Sequence, residues 1–453
     1  MSTPAKSIHG EWSNRWIFIL AATGSAVGLG NIWKFPYIAG ENGGGAFVLV
    51  YLLCIAAIGI PIMMAEVLLG RRGRQSPINT MRDLAKAEGV NPHWQYLGWS
   101  GVVAGFLILS YYSVIAGWAL AYILKAVSGD FTGQSAENVG QLFDGFVANP
   151  GELLFWHTVF MLMTMLVVAR GVQRGLEAAI RLLMPALFLL LIIMVGYAIN
   201  SGAFTQGFAF LFEPNFSQLS WNAVLIAMGH AFFTLSLGMG AIMIYGSYMP
   251  HGASIAKTSI IVAGADTLVA LLAGMAIFPI VFANNLEPGA GPGLVFVTLP
   301  IAFGQMPGGL IFGTIFFLLL TFAAWSSAIS LIEPAVAWLV ENRNWSRIRA
   351  SVLAGVVTWF VGIGTVLSFN YWAEIKLFGK TFFDLLDYLT ANIMLPLGGL
   401  FIAIFVAWIM SRKSALEELN LGDHAGFKTW YILVRFITPF AVIIVFLKAV
   451  GII

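Results

Sequence analysis

Residues 24–31 of the chain read Gly-Ser-Ala-Val-Gly-Leu-Gly-Asn and lie within the first long apolar segment. Three glycines fall within seven residues here, and each is about 1 kcal/mol less favourable than alanine in a helix interior. We therefore predict that the helix formed by this segment is interrupted. Residues 233–240, Phe-Thr-Leu-Ser-Leu-Gly-Met-Gly, predict a second interruption in a later apolar segment.

Close packing of two helices is the alternative explanation for these glycines. A polar residue stands beside each run, Asn31 in the first and Thr234 in the second. Backbone groups released at bilayer depth need polar partners that lipid does not offer, so these neighbours favour the interrupted-helix interpretation. Two interrupted helices in corresponding positions predict an inverted repeat with a binding site at the interruptions.

The composition of the chain is that of a membrane protein. Hydrophobic residues make up 59% of the 453 residues and charged residues 10%, against about 45–50% and about 25% in soluble domains. The net charge of +2 provides no basic face for nucleic acid. The one cysteine, Cys54, excludes a disulfide framework and a thiolate metal cluster.

Eleven apolar segments are long enough to cross a bilayer as helices, which takes about 20 residues. Alternating segments of about 10 residues, the pattern of a membrane β-barrel, are absent from the sequence. We therefore predict an all-α polytopic membrane protein. The segments are residues 14–37, 42–70, 94–127, 152–170, 175–199, 221–248, 254–284, 308–341, 347–369, 382–411 and 427–451.

Lysine and arginine are divided unequally between the two sets of loops. Seventeen of the 23 fall on the side of the N-terminus and five on the other, while Arg435 lies inside the last segment. Positive charge accumulates in cytoplasmic loops. We therefore expect a cytoplasmic N-terminus and, with an odd number of spans, an extracellular C-terminus.

Acidic side chains are scarce at membrane depth, where the sequence places Glu66, Asp266, Glu333 and Asp387. An ionisable residue in this position is costly and marks a candidate functional site. For Asp266, which stands between alanine and threonine, a role as cation ligand is favoured. For Glu66 and Glu333 we favour hydrogen bonds that brace interrupted helices.

Residues 24–37 read GSAVGLGNIWKFPY, and residues 41–47 read ENGGGAF. These motifs resemble the first-helix signature of the neurotransmitter:sodium symporters, and the resemblance runs from about Glu11 to the end of the tenth span. It implies the LeuT-like fold, a 5+5 inverted repeat with broken helices 1 and 6 and eleven transmembrane helices. The single transporter domain (1–453) would then contain a first repeat at 14–199, a second at 221–411, and helix 11 at 427–451.

The resemblance also implies two sodium sites built from oxygen donors, which a hard cation prefers. The first, Na1, would be completed by a substrate carboxylate and would consist of Ala26, Asn31, Thr234 and Asp266. The second, Na2, would consist of Gly24, Val27, Ala323, Ser326 and Ser327. Judged without the resemblance, serines in a membrane helix bond back to their own helix, and that alternative stays open for Ser326 and Ser327.

The implied substrate site lies between the two broken helices and contains no charged side chain. The family's amine carriers place an aspartate where this chain has Gly28, so a substrate with its own carboxylate is expected. We expect hydrophobic and aromatic L-amino acids; another small zwitterion or an amine is the alternative. The implied residues are Ala26, Leu29, Gly30, Ile108, Tyr112, Phe233, Thr234, Ser236, Met239, Ser327 and Leu331.

Gates are implied on both sides of the substrate site. Lys34 and Asp387 match an outer ionic gate, although lysine cannot form the bidentate pair that arginine forms with a carboxylate. The inner gate positions are Trp12, Tyr248 and Glu341. His9 replaces the arginine expected to pair with Glu341, which leaves that pair open.

Gly175 and Pro185 have the spacing at which helix 5 unwinds in this family, since proline removes a helical donor. A kink needed only for packing is the alternative. Unwinding of helix 5 would admit water to Na2 from the inner side.

A fixed negative charge at Asp266 implies chloride-independent transport.

The expected protein is therefore a sodium-coupled symporter in a bacterial plasma (inner) membrane, in contact with lipid and without nucleic acid. Two Na⁺ ions are the expected cofactors, and a monomer is sufficient, while the oligomeric state stays open. A channel would need a continuous polar pore, whereas the polar residues gather at the two interruptions. The HExxH and GxSxG motifs of hydrolases are absent, so an enzyme is not expected.

Overall fold

The computed structural model describes residues 8–288, 293–422, 424–449 and 451–452. Regular structure in these ranges is helical, apart from two isolated bridges. We number the bundle helices from 1 to 11. Helix 1 is Arg15–Ala26 with Gly30–Glu41, and helices 2 to 5 are Gly45–Gly73, Pro92–Val127, Pro150–Ala169 and Val172–Ile199. Helix 6 is Trp221–Thr234 with Ala241–Ser247, and helices 7 to 11 are Ile255–Ala283, Gly309–Arg343, Arg347–Ser368, Phe382–Ile409 and Ala425–Lys448.

Nine of these helices, within the described ranges, are long and apolar enough to cross a membrane. Helix 1 makes a tenth if its two parts, bent by 51°, count as one span. The two parts of helix 6 are each too short to cross alone. The all-α membrane architecture is confirmed, whereas the number of eleven crossings stays a prediction.

Polar side chains cap the N-terminal ends of both interrupted helices. Asn14 accepts the Trp16 and Ile17 N–H groups at the start of helix 1, and Ser220 accepts the Ala223 N–H at the start of helix 6. These bonds satisfy amide donors that have no partner within the helix. Both interrupted helices therefore begin at well-defined residues.

Helices 3 and 8 form the wall against which the interrupted helices lie. At Gly105, an added Cβ would lie 2.9 Å from the Leu331 carbonyl oxygen, so the two backbones are in direct contact. At Gly101, it would lie 3.1 Å from the amide nitrogen of Gly240. Glycine in helix 3 thus brings a continuous helix close to the interruption of helix 6.

Residues 8–14 and the loops after the even-numbered helices lie at one end of the bundle, which we call the N-terminal face. Ion pairs join these segments: Glu11 pairs with Arg74 at 3.3 Å, and Arg71 pairs with Glu418 at 2.5 Å. Burial lowers the pKa of the Arg74 guanidinium, with the charge of Arg71 acting in the same direction. In the described ranges, five shorter α-helical segments pack outside the bundle, at Pro77–Ala87, Ala136–Val147, Phe204–Phe212, Leu294–Gln305 and Arg412–Leu419.

Candidate functional site

The interruption of helix 1 follows Ala26, and Val27 has extended backbone angles. Side chains take over the released amide donors. The Gly28 N–H donates to Asn31 Oδ1 at 3.0 Å, and the Leu29 N–H donates to the Tyr112 hydroxyl at 3.1 Å. The chain then resumes as a π-helical turn from Gly30, a distortion that is frequent at functional sites.

The interruption of helix 6 spans residues 235–240. Three of its residues have positive φ: Ser236 at 54°, Gly238 at 79° and Gly240 at 76°. The two glycines adopt this conformation without steric penalty, whereas the serine is a non-glycine residue in the left-handed region. The Gly238 N–H donates to the buried carboxylate of Glu66, so Glu66 braces the interruption as expected.

Asn31, Thr234 and Asp266 form one buried hydrogen-bonded cluster that joins helices 1, 6 and 7. Asn31 Nδ2 donates to Asp266 Oδ1 at 2.7 Å and to Thr234 Oγ1 at 3.0 Å. The Thr234 hydroxyl donates to Asp266 Oδ2 at 3.0 Å. Three of the four residues carried over to Na1 thus meet around one carboxylate, and the fourth, Ala26, ends the first part of helix 1.

The Na2 residues also come together, at the contact of helix 8 with helix 1. Ser327 Oγ lies 2.9 Å from the Val27 carbonyl oxygen and 3.4 Å from that of Gly24, as a hydroxyl donor to both. Ser326 instead donates to the Ala323 carbonyl at 3.0 Å. Ser327 therefore faces the interruption, whereas Ser326 makes the back-bond of the alternative interpretation.

A cavity of about 20 Å³ lies between the two interruptions, room for about one water molecule. Nine of the eleven residues expected to bind substrate line it. Leu29 and Thr234 do not line it. Leu29 lines a second, larger space on the other side of Phe233 and Tyr112, and Thr234 belongs to the Asp266 cluster. The lining residues are Ser25, Ala26, Gly28, Gly30, Ile108, Tyr112, Phe233, Ser236, Met239, Ser327 and Leu331.

Ser25 was not expected in the site. Its hydroxyl donates to the Ser330 hydroxyl at 2.8 Å, and its carbonyl accepts from the Ser236 hydroxyl at 2.9 Å. These bonds connect helices 1, 6 and 8 at the cavity. The available signal was a hydroxyl residue inside the glycine run, which gives no direction for the side chain.

Gly28 contacts the two hydroxyl residues of the cavity wall. An added Cβ would lie 2.5 Å from Ser327 Oγ and 2.7 Å from the Tyr112 hydroxyl oxygen. Both distances are below those of real side-chain contacts, so no larger residue fits without displacing these hydroxyls. The glycine therefore fixes the depth of the cavity.

Phe233 and Tyr112 separate the cavity from a space of about 410 Å³ on the side of the bundle opposite the N-terminal face. We call this space the vestibule. Lys34 Nζ lies 4.7 Å from the centre of the Phe233 ring and 3.9 Å from Asp387 Oδ1. The Tyr111 hydroxyl donates to the same oxygen of Asp387 at 3.3 Å. The outer gate residues thus meet, but at the length of a weak ion pair.

The inner gate residues are all engaged at the N-terminal face. The backbone N–H of Trp12 donates to the Tyr248 carbonyl at 2.9 Å, and the Tyr248 hydroxyl donates to Glu333 at 2.7 Å. His9 Nε2 lies 3.0 Å from Glu341 Oε1. His9 therefore takes the place of the expected arginine, while Tyr248 pairs with Glu333 and not with Glu341.

Glu341 and Glu333 belong to two separate groups of hydrogen bonds. Glu341 also accepts the Ser76 N–H at 2.7 Å. Glu333 accepts a hydrogen bond from Arg347, whose Nε donates to the Val168 carbonyl at 2.8 Å. This arginine joins helices 8 and 9 to the end of helix 4, which makes Glu333 a fixed acceptor for Tyr248. The bond to Tyr248 agrees with the bracing role expected for Glu333, whereas its pairing with Arg347 was not expected.

Helix 5 is continuous from Val172 to Ile199, with a π-helical first turn that contains Gly175. An added Cβ at Gly175 would overlap the Val167 carbonyl oxygen of helix 4. Pro185 lies ten residues further on, within the helix. Gly175 thus has a packing role in this state, and unwinding of the helix stays a prediction.

Comparison with known proteins agrees with this geometry. The model of the sodium:neurotransmitter symporter family matches residues 9–141 and 131–452, and the chain belongs to this family. It is 42% identical over 445 residues to an uncharacterized sodium-dependent transporter, YhdH of Bacillus subtilis (strain 168), covering 98% of both chains. It is 25% identical to the sodium- and chloride-dependent GABA transporter 2 of Rattus norvegicus, covering 93% of this chain and 76% of that protein.

A crystal structure of MhsT in complex with L-phenylalanine has the same fold, with a TM-score of 0.90 and 46% sequence identity. The match covers 97% of this chain and 99% of that chain. The expected LeuT-like fold and the resemblance to the symporter family are thereby confirmed. The chain is a sodium-coupled transporter and a multi-pass membrane protein, in a family of transporters and not of enzymes.

Proposed function

We propose that this transporter carries hydrophobic and aromatic L-amino acids together with two sodium ions. The observation that carries the proposal is the position of the Asp266 cluster. A buried carboxylate that accepts hydrogen bonds from the Asn31 amide and the Thr234 hydroxyl lies at the two interruptions, beside a cavity whose lining contains no charged side chain. Such a site suits a cation next to a neutral side chain.

An amino acid would place its carboxylate at the interruption of helix 1. The amides of Leu29 and Gly30 and the Tyr112 hydroxyl are the available donors, and Leu29 and Tyr112 already bond to each other. The second part of helix 1 begins here, and helix N-termini favour anions. The same carboxylate would complete Na1, so that sodium and substrate stabilise each other.

The side-chain pocket would be formed by Ile108, Phe233, Met239 and Leu331, which are apolar. The whole cavity between the interruptions has a volume of about 20 Å³, which is too small for an amino acid. These walls therefore move when substrate enters. Met239 lies between two glycines with positive φ, and a thioether adapts to differently shaped partners. Both features favour a broad range of substrates, and MhsT, which is similar in structure, has been crystallised with L-phenylalanine.

Two sodium ions would be held at Na1 and Na2, each beside one part of helix 1. Moving one charge through about 100 mV yields about 2.3 kcal/mol. Two sodium ions with a zwitterion would therefore yield about 4.6 kcal/mol from voltage alone. At about 1.4 kcal/mol for each factor of ten, this supports accumulation of about 10³-fold before any sodium gradient is added.

The proposed orientation places the N-terminal face in the cytoplasm of a bacterial cell and the vestibule outside. The excess of lysine and arginine at the N-terminal face supports it. Residues 14–199 and 221–411 would form the two inverted repeats, each starting with an interrupted helix, and helix 11 would lie outside them. The carboxylate of Asp266 would supply the fixed negative charge that makes chloride unnecessary.

Uptake into proteoliposomes tests the proposal. Labelled leucine, phenylalanine and tryptophan are expected to accumulate in sodium buffer and not in choline buffer, with or without chloride. Glycine betaine and tyramine serve as the competing classes of zwitterion and amine. Sodium-driven uptake of either compound without uptake of the amino acids would contradict the proposal.

Removing the hydroxyl of Tyr248 is expected to loosen the inner gate. In Tyr248→Phe the Glu333 carboxylate loses one donor, and a hydrogen bond to a charged group contributes about 1.5–3 kcal/mol. The inward-open state should gain population by about tenfold or more, and the sodium concentration for half-maximal uptake should rise accordingly. Tyr431→Phe is the control, because its hydroxyl donates to the Ala407 carbonyl away from both gates. Equal sodium dependence of Tyr248→Phe and wild type would show that the gate does not depend on this bond.

Pro185 provides the cleaner test of helix 5 unwinding. Gly175→Ala would force helix 4 to move, so a loss of activity there would not separate packing from unwinding. Pro185→Ala restores a helical donor and is expected to slow sodium release and lower the maximal uptake rate severalfold, with substrate affinity unchanged. Stopped-flow measurement of sodium release would check this, and an unchanged release rate would leave the kink with a packing role.

A further inference from the structure

Arg435 lies within helix 11, where the sequence already set it apart from the arginines in loops. Its guanidinium carbon is 4.4 Å from the centre of the Trp408 ring, 5.7 Å from that of Tyr431 and 5.6 Å from that of Phe436. Three aromatic rings from helices 10 and 11 thus surround the cation. Rings in this position attract a cation without pairing with its hydrogen-bond donors.

The guanidinium has few partners of its own. Its Nη1 donates weakly to the Tyr431 hydroxyl at 3.4 Å, and its buried Nε has no hydrogen-bond partner. In the part of the chain that the structure describes, no carboxylate forms an ion pair with it. A cation at membrane depth that lacks a counter-charge is costly, so the guanidinium favours an anionic partner from outside the chain.

The depth of Arg435 identifies where that ligand comes from. Trp408 stands one residue before the end of helix 10 at Ile409, and its Nε1 donates to the Arg435 carbonyl at 3.1 Å. Arg435 is therefore level with the end of helix 10 at the N-terminal face. Tryptophan is enriched where the acyl chains meet the headgroups, and the long side chain of an arginine near this level can extend toward the lipid phosphates.

The surface around Arg435 is open to the bilayer. Trp408, Ile432 and Phe436 are 53%, 54% and 52% exposed, respectively. Lys428 is exposed and lies seven residues before Arg435, two turns closer to the N-terminal face on the same side of helix 11. Both helices are π-helical at the contact, over Phe405–Ile409 and Leu433–Ile437, and such distortions frequently mark functional sites.

We propose that Arg435, with Lys428, binds the phosphate of an anionic phospholipid from the leaflet at the N-terminal face. The guanidinium fork matches the geometry of two phosphate oxygens, and Lys428 adds a second positive charge. The acyl chains would lie along the exposed side chains of Ile432 and Phe436. This site is distinct from the interruptions of helices 1 and 6, and it concerns the membrane and not the transported molecule.

Native mass spectrometry of the purified full-length chain in detergent, titrated with phosphatidylglycerol, tests the proposal. Arg435→Gln is expected to bind this lipid about fivefold more weakly than wild type, the loss typical of one basic residue at an anionic surface. Lys428→Gln, a change at an exposed position that does not threaten folding, is expected to weaken binding in the same direction. Arg349→Gln is the matched control, because Arg349 is an exposed arginine over the Trp345 ring at the same face.

Two further titrations separate an anionic lipid from other sources of phosphate. Phosphatidylcholine, which is zwitterionic, should bind more weakly than phosphatidylglycerol, and soluble glycerol 3-phosphate should not compete. The proposal is overturned if both variants bind phosphatidylglycerol as wild type does. It is equally overturned if phosphatidylcholine binds as tightly, or if glycerol 3-phosphate displaces the lipid.

Discussion

Asp266→Asn is expected to weaken sodium binding by about 100-fold or more while the protein remains folded. In the structure Asp266 Oδ1 accepts from Asn31 and Oδ2 accepts from Thr234. An amide in this place keeps the shape but removes the negative charge that balances a buried cation, and breaking a buried charge pair costs about 3–5 kcal/mol. Sodium titration of amino-acid uptake in chloride-free buffer measures the effect.

The same variant also tests the role of chloride. If Asp266 supplies the fixed negative charge, added chloride should partly restore uptake by Asp266→Asn and leave the wild type unchanged. Asp387→Asn is the matched control, since it removes a partly exposed carboxylate from the outer gate and is expected to change uptake only severalfold. Wild-type transport by Asp266→Asn in chloride-free buffer would remove Asp266 from the sodium site.

Gly28→Ala is expected to reduce uptake by about 100-fold through a single added methyl group. That group would lie 2.5 Å from Ser327 Oγ and 2.7 Å from the Tyr112 hydroxyl oxygen. Displacing the two hydroxyls breaks their bonds to Val27 and to the Leu29 amide, one in each proposed binding region. Because such a shift removes several proposed ligands together, an effect of about 3 kcal/mol or more is expected.

Gly264→Ala is the control for this prediction, because nothing lies within 4 Å of its added Cβ and it is only two residues from Asp266. Alanine is favoured over glycine in a helix by about 1 kcal/mol, so this variant should transport normally and be slightly more stable. Thermal unfolding of both variants separates a lost site from a lost fold. Normal uptake by Gly28→Ala would show that the cavity wall yields more easily than the contacts indicate.

The interruptions and the importance of Asp266 could be predicted from the sequence for a physical reason, whereas its grouping with Asn31 and Thr234 was implied only by the family resemblance. Glycine runs and acids at membrane depth are rare and costly, so Gly24, Gly28 and Asp266 stand out in an apolar chain. The motif around helix 1 then gave the fold, which comparison with known proteins confirmed. Local composition is sufficient to predict such a position where the residue has a high free-energy cost in its surroundings.

Contacts between distant segments could not be predicted in the same way. The bond between Tyr248 and Glu333 depends on how two helices pack, and the pair of His9 with Glu341 joins residues 332 positions apart. Ser25 resembles any small residue of a glycine run, although its hydroxyl reaches helix 8. The narrow cavity likewise results from side-chain packing, which no sequence pattern encodes.

The central claim is that sodium and an amino acid meet at the interruptions of helices 1 and 6. Equilibrium binding of labelled L-phenylalanine to the purified protein over a range of sodium concentrations tests it most directly, with potassium keeping the ionic strength constant. The wild type should require sodium, with a Hill coefficient between about one and two for two coupled sites. Asp266→Asn and Ser327→Ala should each lower that coefficient toward about one and shift binding to higher sodium. Binding of phenylalanine that is equally strong in potassium alone would contradict the claim.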